Sequence, residues 1–230
     1  LRALNRRPRV VIEDAAHALG AMTPDGPVGN CAHSDMCSFS FHPVKPVTTG
    51  EGGVVTTNSD DLAERLRRFR THNIVRQPDR GGWYYDIAEL GFNYRMTDMQ
   101  AALGLSQLSK LDRFIARRNG IADRYRVLLA DLPVILPPQA PAGFRHGYHL
   151  FAIQVADRRR VFTAMRDAGI FVQVHYVPIY AHSISTDIGK TSVDYPHCAA
   201  AYEGLISIPI YPDLTDDEQD HVVATLVASL

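Results

Sequence analysis

The chain has 230 residues, 46% of them hydrophobic and 21% charged, with a formal net charge of -1. This is ordinary globular composition, long enough to bury a substantial core. It lacks the basic excess that binds nucleic acid or an anionic membrane, and its apolar runs, such as Val222–Leu230, fall far short of the ~20 residues that span a bilayer.

The N-terminal stretch Leu1–Pro8 is basic but has no apolar core or cleavage site, so a signal peptide is not expected. It also lacks an initiator Met, and a fragment of a longer chain is expected. Three cysteines, Cys31, Cys37 and Cys198, make no disulfide framework and point to a reducing cytoplasm.

In chain order, Arg9–Asp14 reads as a short buried strand that ends on two acids. Ala15–Ala21 reads as a helical turn stopped by Gly20. Met22–Gly29 is a Pro/Gly loop. Cys37–Phe41 alternates like a strand, and Gly52–Thr57 is a second strand reached through the loop that carries Lys45. Asn58-Ser59-Asp60-Asp61 starts a helix running to about Thr71. Residues 72–93 show no period and contain Pro78, Gly81, Gly82 and Gly91, so a long loop is expected, and such loops are usually functional. From Thr97 the pattern is helical, with Ala101, Leu105, Leu108, Leu111 and Ile115 on one expected apolar face and a second helical stretch to Leu132. After the prolines of 133–141, strands at 148–155 and 171–176, a helix at 158–168 and a capped last helix from Thr215 suggest a small α/β domain.

Candidate chemistry centres on Ser38–Gly53, where one lysine lies between two strands among hydroxyls and glycines. A lysine near buried surface has its ammonium disfavoured and becomes a better nucleophile, as Schiff-base chemistry requires. Ser40 and the following glycines allow an anion to approach, and Pro46 biases Lys45 toward extended backbone. On loop composition alone, such a lysine is more often simply solvated. Asp14 adds weight to the reactive reading. It ends a predicted parallel strand, where α/β sheets gather ligands, and a carboxylate there can keep a pyridinium nitrogen protonated. Asp14 can equally cap the turn that follows it. His17 lies three residues on, within reach of a ring substituent or simply packed. Cys31, His33, Cys37 and His42 offer metal-ligand types, but their spacing matches no usual zinc pattern. No metal is expected, and they read as two buried cysteines and two loop histidines.

Four ordered blocks carry a family resemblance. Val11–His17, Ser40–Lys45 with Thr48–Gly53, Gly91–Ala102, and His175–Pro178 continuing to Leu205–Tyr211 resemble the DegT/DnrJ/EryC1/StrS sugar aminotransferases. The resemblance implies an α/β fold of the pyridoxal 5'-phosphate (PLP) fold type I. Residues 1–120 would be the second half of the large PLP-binding domain, and residues 121–230 the small C-terminal domain. It implies that Lys45 joins the cofactor covalently and shuttles protons, that Asp14 pairs with the pyridine nitrogen, that His17 stands near the ring hydroxyl, and that Ser40 binds the phosphate. Asn93 would reach the cofactor phosphate of the partner subunit in a homodimer with shared sites. Arg95, Tyr84 and His175 are weaker candidates for substrate contact. Relatives that replace the lysine with histidine perform a dehydration, and Lys45 argues against that branch.

Within the family, Trp83-Tyr84-Tyr85-Asp86 before Leu90–Asp98 looks most like pseudaminic-acid pathway enzymes, which aminate C4 of a UDP-linked 4-keto-6-deoxy-N-acetyl sugar with glutamate as donor. These aromatics can equally be a hydrophobic loop anchor. Family members carry a phosphate-binding turn and a ring-stacking aromatic ahead of the strand with Asp14, and residues 1–9 supply neither. A catalytically inactive fragment, or a non-enzymatic interaction subunit that keeps the fold, is therefore the alternative reading. The intact Lys45, Asp14 and Ser40 oppose it.

Overall fold

The computed structural model describes residues 10–230, and the side chains of all of these except 186–188. In chain order the elements are β1 (Ile12–Asp14), β2 (Met22–Thr23), β3 (Gly26–Pro27), β4 (Met36–Ser40), β5 (Gly53–Thr56), α1 (Asp60–Phe69), β6 (Ile74–Arg76), β7 (Tyr85–Ile87), α2 (Asp98–Leu108), α3 (Leu111–Leu128), β8 (Phe151–Gln154), α4 (Arg158–Asp167), α5 (Pro196–Gly204), β9 (Leu205–Ile208) and α6 (Asp216–Ser229). Among the described residues they group into two compact units, one of residues up to 112 with 142–147 and one of residues 113–141 with 148–230.

The first unit is built on a three-stranded sheet of order β1-β4-β5, with β1 parallel and β5 antiparallel to β4. Alternation along β4 buries Cys37 and Phe39 on one face, where they pack with Ala15 and Cys31 and the flanking Ala18, Leu19 and Val28. Helix α1 starts as expected, with the Ser59 hydroxyl accepting from the Leu62 amide. The expected helical turn at 15–21 is instead two successive tight turns, in which the Ala18 and Ala21 amides donate to the Ala15 and Ala18 carbonyls. The expected loop at 72–93 contains an antiparallel hairpin, β6 with β7, closed by a short 3-10 turn at Pro78–Arg80. Neither of its strands buries a residue, so the pairing left no hydrophobic period to read.

The expected apolar face across 101–115 is also divided. A break at Ser109 and Lys110 separates α2 from α3, and Leu105 stays 70% exposed. The one buried residue of α2 is Gly104.

The second unit pairs β8 and β9 antiparallel under α3, α4 and α6. Its core includes Ile121, Tyr125, Phe151, Ile153, Val161, Met165, Ile206 and Leu226, each fully buried. Each such side chain contributes roughly 1.5–3 kcal/mol through burial. The expected strand at 171–176 reduces to one bridge, Gln173 to Ser207. Inside this unit Arg118 is buried and donates through Nη1 to the carbonyls of Tyr148 (2.9 Å), His149 (3.4 Å) and Ile210 (2.8 Å). Burial pulls its pKa down to about 10. Helix α6 opens on a full capping box between Thr215 and Glu218.

Candidate active site

Parallel pairing sets Asp14 opposite Ser38. In-register partners share a face, and every second residue along a strand returns to it. Asp14, Ser38 and Ser40 therefore lie on the face opposite the buried Cys37 and Phe39. Asp14 ends β1 and is held there because its Oδ1 accepts from the Ala16 amide at 3.0 Å. Ser40 ends β4, and its Oγ accepts from the His42 amide at 3.3 Å.

Beyond β4 the chain turns back to β5 through the loop that carries Lys45, and this loop is closed by a network of short bonds. The Lys45 amide donates to the His42 carbonyl (3.0 Å), and the Thr49 amide and Thr48 hydroxyl both donate to the Phe41 carbonyl (each 3.0 Å). The Gly50 amide donates to Thr48 Oγ1 (2.9 Å), the Thr49 hydroxyl to the Glu51 carbonyl (2.7 Å), and the Phe41 amide to the Gly52 carbonyl (2.8 Å). The glycines are required. At Gly53 a Cβ would lie 2.7 Å from the Phe39 carbonyl oxygen, and Gly52 has φ +154° with a Cβ position 2.4 Å from Thr49 Oγ1.

The loop leaves Lys45 partly buried, and desolvation pulls its pKa below the usual lysine value while the Asp14 carboxylate opposes that fall. An amine whose charge is disfavoured, a carboxylate it feels, and a hydroxyl on the same side of the sheet form a set that suits a group carrying an aldehyde, a basic ring nitrogen and a phosphate. Pyridoxal phosphate has these features, and the residues present fit it.

The remaining expected residues lie elsewhere. His17 is exposed in the turn after β1. Tyr84 lies just before β7, with the Arg80 guanidinium 4.0 Å over its ring. Asn93 and Arg95 are exposed on the segment between β7 and α2, and Asn93 bridges to Thr71 just past α1. His175 belongs to the second unit, where its Nδ1 is 2.9 Å from Ser207 Oγ. Among the possible metal ligands, burial and nearby Glu13 push the Cys37 thiol up to about 11, away from the thiolate a metal needs. His33 instead pairs with Asp25 at 2.8 Å.

The sequence profile of the DegT/DnrJ/EryC1/StrS aminotransferase family matches residues 2–227. The chain belongs to the DegT/DnrJ/EryC1/StrS aminotransferase family. It is 34% identical over 225 residues to the UDP-4-amino-4,6-dideoxy-N-acetyl-beta-L-altrosamine transaminase of Campylobacter jejuni, covering 96% of this chain and 58% of that protein. It is 35% identical over 241 residues to the GDP-perosamine synthase of Caulobacter vibrioides, covering 98% of this chain and 60% of that protein. The PLP form of the sugar aminotransferase Spr1654 of Streptococcus pneumoniae superposes with a TM-score of 0.87 at 30% identity, covering 96% of this chain and 57% of that one.

This DegT-family chain thus has the α/β architecture of PLP fold type I, in part. It spans 58–60% of the length of the curated relatives named here. PLP is the cofactor of the family. Sequence reading singled out Lys45 but missed the locking roles of Thr48 and Thr49. The signal was two adjacent hydroxyls before Gly50, which favour side-chain turns that close on their own backbone.

Proposed function

We propose that this chain carries the lysine-bearing part of a cytoplasmic PLP-dependent transaminase that places an amino group on a keto carbon of a nucleotide-linked deoxy sugar. The observation that carries this reading is a partly buried Lys45, its ammonium disfavoured by desolvation, within the electrostatic reach of the Asp14 carboxylate at the end of β1. Bound PLP supplies an aldehyde that carries the amino group and a ring that accepts electron density. Around it, the Asp14 carboxylate would hold a proton on the ring nitrogen, and Ser40 Oγ would donate to the phosphate. Lys45 would hold the cofactor through its Nζ at the aldehyde carbon and, once free, would move the proton between substrate and cofactor carbons. His17 flanks the ring hydroxyl.

The amino donor in this reading is glutamate, and the acceptor is the C4 ketone of a UDP-linked 4-keto-6-deoxy-N-acetyl sugar, as in pseudaminic-acid synthesis. The block from Trp83 to Asp98 and the similarity to the Campylobacter jejuni transaminase support this substrate. Arg95, Tyr84 and His175 serve the sugar nucleotide. Asn93 and Arg95 are exposed and suited to reach a second copy in a homodimer, where Asn93 meets the phosphate of the partner's cofactor.

Lysine mapping tests the reading. The chain has three lysines, Lys45, Lys110 and Lys190. Lys190 is engaged with Asp194 at 3.3 Å, and Lys110 sits in the turn after α2. In the full-length protein loaded with PLP, borohydride reduction should place the pyridoxyl group on Lys45, and Lys45→Ala should abolish amination across a panel of keto sugars. A pyridoxyl group on Lys110 or Lys190, or wild-type turnover in Lys45→Ala, would overturn it.

A further inference from the structure

One carbonyl at the end of the Lys45 loop receives a donor from a distant part of the chain. The Glu51 carbonyl accepts from the Thr49 hydroxyl and also from Gln100 Nε2, at 3.0 Å. Gln100 is the third residue of α2. Its Oε1 accepts from the Thr97 amide (2.9 Å) and lies 3.1 Å from the Thr97 hydroxyl, while the Gln100 amide donates back to Thr97 Oγ1 at 3.3 Å. The amide can face only one way. A half-turn about its last bond would set Oε1 against the Glu51 carbonyl and the NH2 against the Thr97 N–H.

Packing follows the same line. Gln100 and Gly104 are spaced by four and share one side of α2, and Met96 lies just before its N-cap Thr97. A Cβ on Gly52 would come within 2.9 Å of Met96 Cε, and a Cβ on Gly104 within 2.9 Å of Thr49 Cγ2. Thr49 is buried. The stripe therefore seats on residues 49–52, the turn that closes the Lys45 loop. Just upstream of Met96 the same segment carries Asn93, three residues back, and Arg95, its immediate neighbour.

We infer that Gln100 is a positioning residue that fixes the Lys45 loop through the Glu51 carbonyl and ties it to the segment bearing Asn93 and Arg95. This rests on the reading of Lys45 as the cofactor lysine. Gln100 has two separable duties. Its oxygen caps the helix, and its nitrogen holds the loop.

Two variants of the full-length protein separate these duties. Gln100→Glu keeps an acceptor for the Thr97 amide, since Glu is the usual partner in a capping box, but it cannot donate to Glu51. Gln100→Met can do neither, and it adds no charge. Backbone hydrogen exchange of the cofactor-free protein should speed up roughly three- to tenfold at Thr49 and Gly50 in both variants, the size of one lost hydrogen bond. The first turn of α2 should loosen only in Gln100→Met. In a second readout, the pH midpoint for labelling Lys45 with PLP and borohydride should rise toward that of an ordinary lysine in Gln100→Met, because a looser loop hydrates the amine. Unchanged exchange at Thr49 and Gly50, or an unchanged midpoint in Gln100→Met, overturns the positioning role. A wild-type protein that takes no pyridoxyl label on Lys45 overturns the transaminase reading and this role with it, whatever the exchange shows.

Discussion

Replacing Asp14 with Asn separates the charge at the head of the site from the geometry around it. Asp14 Oδ1 accepts from the Ala16 amide at 3.0 Å, and an asparagine retains that oxygen in the same place. The turn after β1 should survive, so folding and PLP attachment should be little changed. What disappears is the negative charge proposed to keep the ring nitrogen protonated. Removing one preorganised charge or donor of this kind typically lowers turnover by about 10²–10³, or ~2.7–4 kcal/mol of transition-state stabilisation. The same change acts on Lys45. A neighbouring carboxylate favours the ammonium and raises the amine's pKa against the effect of burial. Without it, the Lys45 pKa falls further below the ordinary lysine value, and the free amine persists to lower pH. Steady-state turnover of the PLP-loaded full-length protein reads the first effect. Borohydride labelling of the cofactor-free protein across a pH series, with peptide mapping, reads the second. Near wild-type turnover, or a labelling midpoint that moves up, would refute the role assigned to Asp14.

Two further outcomes are expected. Arg118→Met removes a guanidinium that donates to three buried carbonyls and, among the described residues, has no carboxylate partner. Relief of the cost of burying the cation offsets part of the loss, so urea unfolding should show a net destabilisation of about 2–4 kcal/mol, and an unchanged midpoint would mean those carbonyls do not depend on Arg118. Mixed dimers of Asn93→Ala and Lys45→Ala subunits should contain one site damaged at both positions and one intact, so co-expressed subunits should recover activity that neither homodimer has in full; no recovery would reject sharing of sites between subunits.

Much of this architecture was legible because burial wrote it into the sequence. Strand β4 alternates Cys37 and Phe39 against Ser38 and Ser40, and helices α1, α4 and α6 begin on side chains that cap them. The parts that escaped are those in which burial played no role. The β6–β7 hairpin exposes most of its residues, so its pairing depends on the turn at Pro78–Arg80 and not on a core. On α2 the apolar residues stay exposed, and the packed side is formed by Gln100 and Gly104, a polar residue and one without a side chain. A search for hydrophobic period passes over such a face. The Thr97-x-x-Gln100 spacing is that of a capping box, but sequence reading found in it only the start of a helical pattern. Nothing local to it shows that the same amide reaches Glu51, forty-nine residues away. Lys45 itself stood out as one lysine among glycines and hydroxyls, and Asp14 through its place at a strand end.

Charge and position are also unequal in their tolerance to movement. The attraction between Asp14 and Lys45 falls only as the inverse of their separation, so a shift of an ångström alters it modestly. The proton transfer proposed for Lys45 would require its nitrogen within about 2.6–3.2 Å of the atom it serves, and the same shift would abolish the contact. The loop is built accordingly. Among the described residues the Asp14 carboxylate accepts one hydrogen bond, at the exposed end of a strand, whereas the lysine loop is closed by Thr48, Thr49 and Gln100 acting on the Phe41 and Glu51 carbonyls. Neutralising Asp14 should therefore act chiefly on turnover with the loop left in place. Releasing Glu51 should act on where Lys45 can be, which is why exchange at Thr49 and Gly50 should respond to Gln100→Met and stay as in wild type in Asp14→Asn. If the two variants loosened those amides equally, charge and geometry would not be separate at this site, and the division of labour between Asp14 and Gln100 would fall.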